Sequence, residues 1–122
     1  MKTISRNPKD FALDAIKPYY KDNSLCGIFD NKCMYITFDN KMCVAGQYML
    51  HPENFTSSIG TILKNNLQSK IFIPEVVDIL SVNEWILLQC IHDGIANDNN
   101  NNYYLKGRVK SLGLFTFEEL IA

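Results

Sequence analysis

The chain has 122 residues, of which 47% are hydrophobic and 20% are charged, and its formal net charge is -1. These values are typical of an ordinary globular domain and exclude a disordered or fibrous chain. A near-neutral charge also excludes a global attraction to nucleic acid or to an anionic membrane, although a local basic patch stays open. We predict a single domain over 1–122, since this length is enough to bury a core.

Two features predict the compartment, and the state of the cysteines follows from it. No apolar run approaches the roughly 20 residues that cross a bilayer. The N-terminal residues lack the apolar region of a signal peptide. The four cysteines are then expected to be reduced thiols rather than a disulfide framework. The sequence therefore predicts a cytoplasmic protein with no membrane partner.

The first predicted element is a helix over 8–17. Asn7 suits the N-cap, Pro8 suits the first helical position, and Asp10 suits the positive end of the helix dipole. Pro18 is expected to end or kink the helix, because the residue before a proline avoids helical backbone angles.

The next segment, 24–50, predicts three consecutive strands, a β-meander. The tetrapeptide Phe-Asp-Asn-Lys occurs at 29–32 and again at 38–41, and Asp-Asn between apolar runs indicates a tight turn. If each Asp-Asn pair forms a two-residue turn, one face of the meander is almost wholly apolar and should meet the core. A three-residue turn would shift the register by one residue and mix the two faces.

The other face of the meander is the first candidate site. It is rich in aromatic and methionine side chains and poor in charge, as the centres of protein interfaces are. Thr116 and Glu119 form a capping-box pattern for a short C-terminal helix, which is not stable alone and must dock on this domain or on another chain. We predict a protein interface formed by Tyr35, Met42, Val44, Tyr48 and Phe117. The alternative is that helices of the same domain cover this face.

The following segment predicts a helix over 56–68 capped by Thr56 or Ser57, a short strand over 71–73 and a short helix over 74–80. Residues 81–93 fit two structures. Ser81 and Glu84 form a capping-box pattern, which is typical of a helix, but the apolar run that follows also suits a buried strand.

We favour the strand, because 103–109 has a strand pattern and the intervening Asp-Gly and Asn-rich residues have loop composition. The result is a hairpin over 84–110, in which the asparagines at 99–102 are expected to be mobile. Together the elements predict an α+β fold. Its antiparallel sheet has about five strands, from the β-meander 24–50 and the hairpin 84–110, with two or three helices packed on one face. The element order resembles one domain of a sliding clamp, which implies an association with nucleic acid.

A basic stripe is the second candidate site. In a strand, alternate residues share a face, which would group Tyr104, Lys106, Arg108 and Lys110. Such a surface can contact phosphates and stack a base. The alternative is a solvated strand whose lysines protect an edge against aggregation.

Cysteine and histidine side chains give two weaker hypotheses. A zinc site would use Cys26, Cys33, Cys43 and His51, but their separations are wider than the two to four residues of paired zinc ligands. Buried thiols explain them better. A cysteine nucleophile would be Cys43 or Cys90, with His51 or His92 as base, although no local signature supports it. We predict no metal and no cofactor.

The leading functional prediction is a small non-catalytic protein-binding module that contacts another protein or itself, as a homodimer. Phage or mobile-element inhibitors and immunity proteins are of this type, and the Asn-, Lys-, Ile- and Tyr-rich composition is compatible with an AT-rich genome of that origin. The first alternative is a nucleic-acid-associated protein, either clamp-like or binding single strands, that uses the basic stripe. The second is a small cysteine-dependent enzyme.

Overall fold

A computed structural model describes residues 4–29, 32–97 and 102–122. These ranges contain six α-helices: α1 (Pro8–Lys21), α2 (Ile59–Asn65), α3 (Gln68–Ile71), α4 (Val82–Asn97), α5 (Asn102–Leu112) and α6 (Phe117–Ile121). Within them, strand structure is limited to one antiparallel pair, β1 (Ile28–Phe29) and β2 (Lys32–Cys33), and to two isolated bridges. The predicted α+β fold with an antiparallel sheet of about five strands is therefore wrong, because the protein is mostly helical.

The β-meander predicted over 24–50 forms only local reversals. Phe29 pairs with Lys32, as a two-residue turn requires, although the turn residues 30–31 lie outside the described ranges. The second reversal is one residue longer. Its bridge joins Ile36 to Met42, and Asn40 has a left-handed φ of 65°. This shift by one residue removes the predicted division into two faces.

The rest of this segment does not alternate at all. Cys43, Val44 and Ala45 are consecutive and all fully buried, and a short 3₁₀ helix over Gly46–Tyr48 follows them. Three consecutive buried side chains do not fit a half-solvated strand, whose residues point to opposite faces in turn.

Helix α4 replaces the first strand of the hairpin predicted over 84–110. Its capping box is complete, since the Ser81 amide donates to Glu84 Oε1 at 2.8 Å and the Glu84 amide donates to Ser81 Oγ at 3.1 Å. The helix continues through Asp93 and Gly94 instead of turning there. It packs against α1, α2 and α5, and every residue from Trp85 to Ile91 is buried or half-buried. This burial explains the apolar run that resembled a strand.

Helix α5 replaces the second strand. Leu105, Val109 and Leu112 are buried, and their spacings of four and three residues define one helix face. The strand predicted over 103–109 is therefore wrong. The prediction of mobile asparagines falls mainly on 99–101, which lie outside the described ranges, while Asn102 opens α5.

Helix α1 confirms the predicted N-cap at Asn7, whose side chain accepts a hydrogen bond from the Asp10 amide at 3.1 Å. The predicted end at Pro18 is wrong, because the helix runs on to Lys21. Tyr19 in this last turn packs on the His92 ring with centroids 4.9 Å apart, and its hydroxyl donates to the Met42 carbonyl at 2.7 Å. These contacts hold the last turn in place beyond the proline.

The segments between α1 and α4 are shorter than predicted. The helix of 56–68 is reduced to α2, whose N-cap is Ser58 rather than Thr56 or Ser57, and α3 follows it. The strand predicted over 71–73 is a single bridge between Met49 and Phe72. The 74–80 helix is one 3₁₀ turn over Pro74–Val76.

The core is centred on Trp85 of α4, which is 0% exposed. Its ring stacks on Phe72 with centroids 4.5 Å apart and meets the ring of Phe11 edge-on at 5.8 Å. The contacts join α4 to α1 and to the chain after α3. No helix in the described ranges has the length and apolar character needed to cross a membrane.

Helix α6 confirms the C-terminal capping box of Thr116 and Glu119. Leu120 is fully buried, so the helix docks on this chain, against α1 and α5. At the α1 contact, Lys9 Nζ lies 2.7 Å from Glu119 Oε2.

Replacing Glu119 with glutamine is expected to lower the melting temperature slightly at neutral pH and to leave it unchanged in acid. The hydrogen bond from Lys9, and then that from the Thr116 amide, lower the pKa of Glu119 from its ordinary value of 4.5. A carboxylate with a lowered folded-state pKa adds stability above its unfolded-state pKa, and this stability is lost as the pH falls through the folded-state value. The effect is small because the pair is exposed.

Thermal unfolding at a series of pH values measures this difference, with Glu118→Gln on the same turn as the control. Glutamine keeps the oxygen that accepts from Thr116, so the capping box survives. An equal loss of stability at neutral and acid pH would mean that the ion pair with Lys9 contributes nothing.

Candidate functional site

A shallow groove runs over the solvent side of α5, beside α4. We call it the tyrosine groove. It has a volume of about 770 Å³, and its lining residues are Leu87, Cys90, Tyr103, Tyr104, Lys106, Gly107, Arg108, Lys110 and Ser111. Because α5 is a helix, Lys106 and Lys110 lie along one edge and Tyr104 and Arg108 along the other, since residues four apart are neighbours on a helix surface. The predicted stripe on one strand face is therefore divided into two edges.

Gly107 lies between the two edges. It is in the middle of α5 and exposed, and a Cβ added there would have nothing within 4 Å in the described part of the chain. Glycine in a helix interior costs roughly 1 kcal/mol relative to alanine. Packing does not require glycine at this position, and its missing side chain keeps the groove open.

Two tyrosines stand at the N-terminal end of the groove. Tyr103 is 79% exposed and Tyr104 is 66% exposed, and their rings meet edge-on with centroids 5.5 Å apart. Leu87 and Cys90 of α4 are half-buried beside them. Adjacent exposed aromatic rings next to an apolar floor are typical of an interaction surface.

The three basic side chains along the edges of the tyrosine groove make different contacts. Arg108 Nη1 donates a hydrogen bond to the Cys90 carbonyl, and its side chain passes over Gly94. A Cβ at Gly94 would lie 2.9 Å from that Nη1, so a side chain there would displace the end of the Arg108 side chain from its present position. Lys106 Nζ lies over the Phe117 ring at 5.3 Å, a cation–π contact. Lys110 is exposed.

The interface residues predicted from the meander do not form one surface. Val44 is 0% exposed and Tyr35 is 8% exposed, and the Tyr35 hydroxyl donates to the Ser57 carbonyl at 2.6 Å. Met42 and Tyr48 are half-buried. Phe117 lies on α6, beside Lys106. These residues belong mainly to the packing of this chain.

Tyr48 is the predicted interface residue whose environment changes its acidity. Burial, and then the charge of Asp14, raise the pKa of its phenol to about 12. Its ring packs on Phe11 with centroids 5.0 Å apart. Tyr48 therefore stays neutral and serves as a core side chain.

The cysteines and histidines are dispersed. Within the described residues, no three His, Cys, Asp or Glu side chains group closely enough to hold a metal ion. Cys26 and Cys43 are buried, whereas His51 is exposed, 3.6 Å from Glu53. The side chain of Cys33 is outside the described part of the structure. Cys90 is half-buried and borders the tyrosine groove.

His92 is fully buried and joins α4 to the irregular segment that follows α1. Its Nε2 accepts a hydrogen bond from the Gly27 amide at 3.4 Å, and its Nδ1 lies 3.0 Å from Asp93 Oδ1. With Nε2 as acceptor, the proton of the ring is on Nδ1 and faces the carboxylate. Gln89, one turn earlier, accepts from the Ala45 amide at 3.3 Å. These side chains serve as hydrogen-bond partners for main-chain groups that a sheet would have paired.

A second cavity, the α2–α4 pocket, lies between α4, residues 34–35 and the start of α2. Its volume is about 690 Å³. Its walls include Met34, Tyr35 and Ile86, and Asp93 and Cys90 also line it.

Two residues that line these concave sites, Tyr103 and Asp93, were not among the site residues predicted from the sequence. The sequence contains a sign of each residue. Tyr103 is next to a second tyrosine in a polar stretch, and Asp93 follows Gln89 by four residues, which makes the two side chains neighbours on a helix.

No protein family, curated protein or solved structure matches this chain. The functional inference therefore depends on the two concave sites.

Proposed function

We propose that this chain is a non-catalytic protein-binding module whose tyrosine groove receives an acidic segment of another protein. The observation that carries the proposal is Gly107, an exposed mid-helix glycine that no packing contact in the described residues requires and that opens the groove. An aromatic pair and a half-buried apolar floor supply contact area of the kind that anchors protein interfaces. Lys106 and Lys110 then favour a partner of negative charge.

Nucleic acid is the alternative partner for the same groove. Three features favour protein. The net charge of -1 gives no long-range attraction to a polyanion. The Arg108 guanidinium is already bonded to the Cys90 carbonyl. The lysines and the arginine lie on opposite edges of the groove, so they do not form the single continuous track that a phosphate backbone follows. A contact between the groove and an acidic protein segment is also compatible with the predicted class of small phage or mobile-element inhibitors and immunity proteins.

A random peptide library displayed on phage, selected on the wild-type protein, tests the proposal. We expect the enriched peptides to combine acidic and apolar residues, and Gly107→Leu to weaken their binding about tenfold, the effect of losing a central interface contact. A Cβ at this exposed position meets nothing within 4 Å among the described residues and leucine favours the helix, so the variant is expected to fold, and circular dichroism checks that it does. Lys64→Glu on α2 is the matched surface control, and fluorescence anisotropy gives the affinities.

Four outcomes would overturn the proposal. Enriched peptides without acidic residues, or peptides that bind Gly107→Leu as well as wild type, would exclude the groove as an acidic-peptide site. An unstructured oligonucleotide that binds more tightly than any peptide, and loses this binding in Gly107→Leu, would favour the nucleic-acid alternative. Wild-type dimerisation in light scattering that Gly107→Leu abolishes would make the groove a contact between copies.

A further inference from the structure

The α2–α4 pocket is separate from the tyrosine groove, although Cys90 borders both. Its volume of about 690 Å³ falls within the range of small-molecule sites, roughly 300 to 1,000 Å³. The proposal for this pocket therefore does not depend on the proposed function of the groove.

The walls of the pocket are mainly apolar, although Thr56, Ser57, Ser58 and Gln89 also line it. Met34, Ile59 and Ile86 supply aliphatic surface, and the Tyr35 ring supplies an aromatic face. The Tyr35 hydroxyl donates to the Ser57 carbonyl at 2.6 Å, which fixes the ring against the loop before α2. A wall fixed by hydrogen bonding suits a preformed cavity for an apolar molecule.

One charge borders this apolar cavity. Asp93 is the single charged side chain among the described lining residues. Its side chain is 37% exposed, and its Oδ1 lies 3.0 Å from His92 Nδ1 and 3.4 Å from Gln89 Nε2. These contacts from two buried side chains orient the carboxylate on α4. A fixed carboxylate beside apolar walls complements a ligand with an apolar body and one positive charge.

We propose that the α2–α4 pocket binds a small apolar molecule that carries one protonated amine, with the ammonium group against Asp93 and the apolar body against Met34, Tyr35 and Ile86. The ammonium group forms a charge-assisted hydrogen bond with the carboxylate. Cys90 lines the same pocket, so a bound ligand is expected to lower the reactivity of its thiol.

Three probes of equal size test this assignment: phenylpropylamine, phenylpropanol and phenylpropanoate. Calorimetric titration of the full chain should show that the amine binds about tenfold more tightly than the alcohol, as a charge-assisted hydrogen bond predicts, and that the carboxylate binds least. Asp93→Asn keeps an oxygen that can accept from His92 and should remove the preference for the amine. Saturating amine should slow the alkylation of Cys90 by iodoacetamide in the folded protein.

Ile86→Trp is the second variant. A larger side chain in the pocket wall should weaken the binding of all three probes, and this result does not depend on whether Asp93→Asn folds. Equal affinity for amine, alcohol and carboxylate would overturn the proposal. So would an amine that binds Ile86→Trp as it binds wild type, or a wild type that binds no amine. Gly107→Leu should bind the amine normally, so failure of the groove and failure of the pocket are distinguishable.

Discussion

Replacing Trp85 with alanine is expected to lower the free energy of unfolding by about 3 to 5 kcal/mol, the usual cost of deleting a large aromatic side chain from a core. The Trp85 ring stacks on the Phe72 ring with centroids 4.5 Å apart and meets the Phe11 ring edge-on with centroids 5.8 Å apart. It therefore joins α4 to α1 and to the chain after α3. Alanine leaves a cavity that these elements cannot close without moving. Urea or guanidinium unfolding followed by circular dichroism measures the change.

Trp85→Phe separates the ring contacts from the polar atom. The indole Nε1 is buried and has no hydrogen-bond partner within the described residues, which costs free energy in the folded state. Phenylalanine keeps an aromatic ring against Phe72 and removes that unsatisfied donor. We expect Trp85→Phe to lose much less stability than Trp85→Ala. Equal losses in the two variants would mean that the six-membered ring alone does not maintain the stack.

Replacing His92 with phenylalanine is expected to cost about 2 to 3 kcal/mol, because the buried Gly27 amide loses its acceptor. Phenylalanine keeps a ring beside Tyr19, whose centroid is 4.9 Å from that of His92, so the packing changes little. The loss should therefore come from hydrogen bonding. Denaturant unfolding gives the free energy, and hydrogen exchange at the Gly27 amide should become faster.

His51→Phe is the control for this experiment, because His51 is exposed and a surface substitution of this kind usually changes stability by less than about 0.5 kcal/mol. If His92→Phe is as stable as wild type, the contact of 3.4 Å between His92 and Gly27 does not contribute to holding the irregular segment on α4.

The polar contacts of α4 also explain why the predicted sheet is absent. The sequence of 24–50 has the apolar content and the turn residues of a meander, and its first reversal has the predicted pairing. The Gly27 and Ala45 amides, however, donate to His92 and Gln89. No local pattern in 24–50 identifies hydrogen-bond acceptors that lie more than 40 residues further along the chain.

The wrong prediction of strands also affected the two sites predicted from the sequence, the basic stripe and the meander interface. Tyr104, Lys106, Arg108 and Lys110 share a face in a strand but lie along two edges of a helix. The spacing of Leu105, Val109 and Leu112 was the available sign of a helix. The basic residues were correctly noted, but their arrangement around Gly107 follows only from the helix. The sequence places Val44 and Tyr35 on an outer surface, but both are buried, and the Tyr35 hydroxyl donates to the Ser57 carbonyl in the loop before α2.

The sequence by itself determined the local features whose interactions span three or four residues. These include the N-cap at Asn7 and the capping boxes at Ser81 and Thr116. Tertiary structure alone decided whether the apolar run after Ser81 became a strand or a buried helix, since both place apolar side chains in a core. The segment forms a helix because α1, α2 and α5 pack against it, and because the Gln89 and His92 side chains of α4 accept hydrogen bonds from main-chain amides of a distant segment.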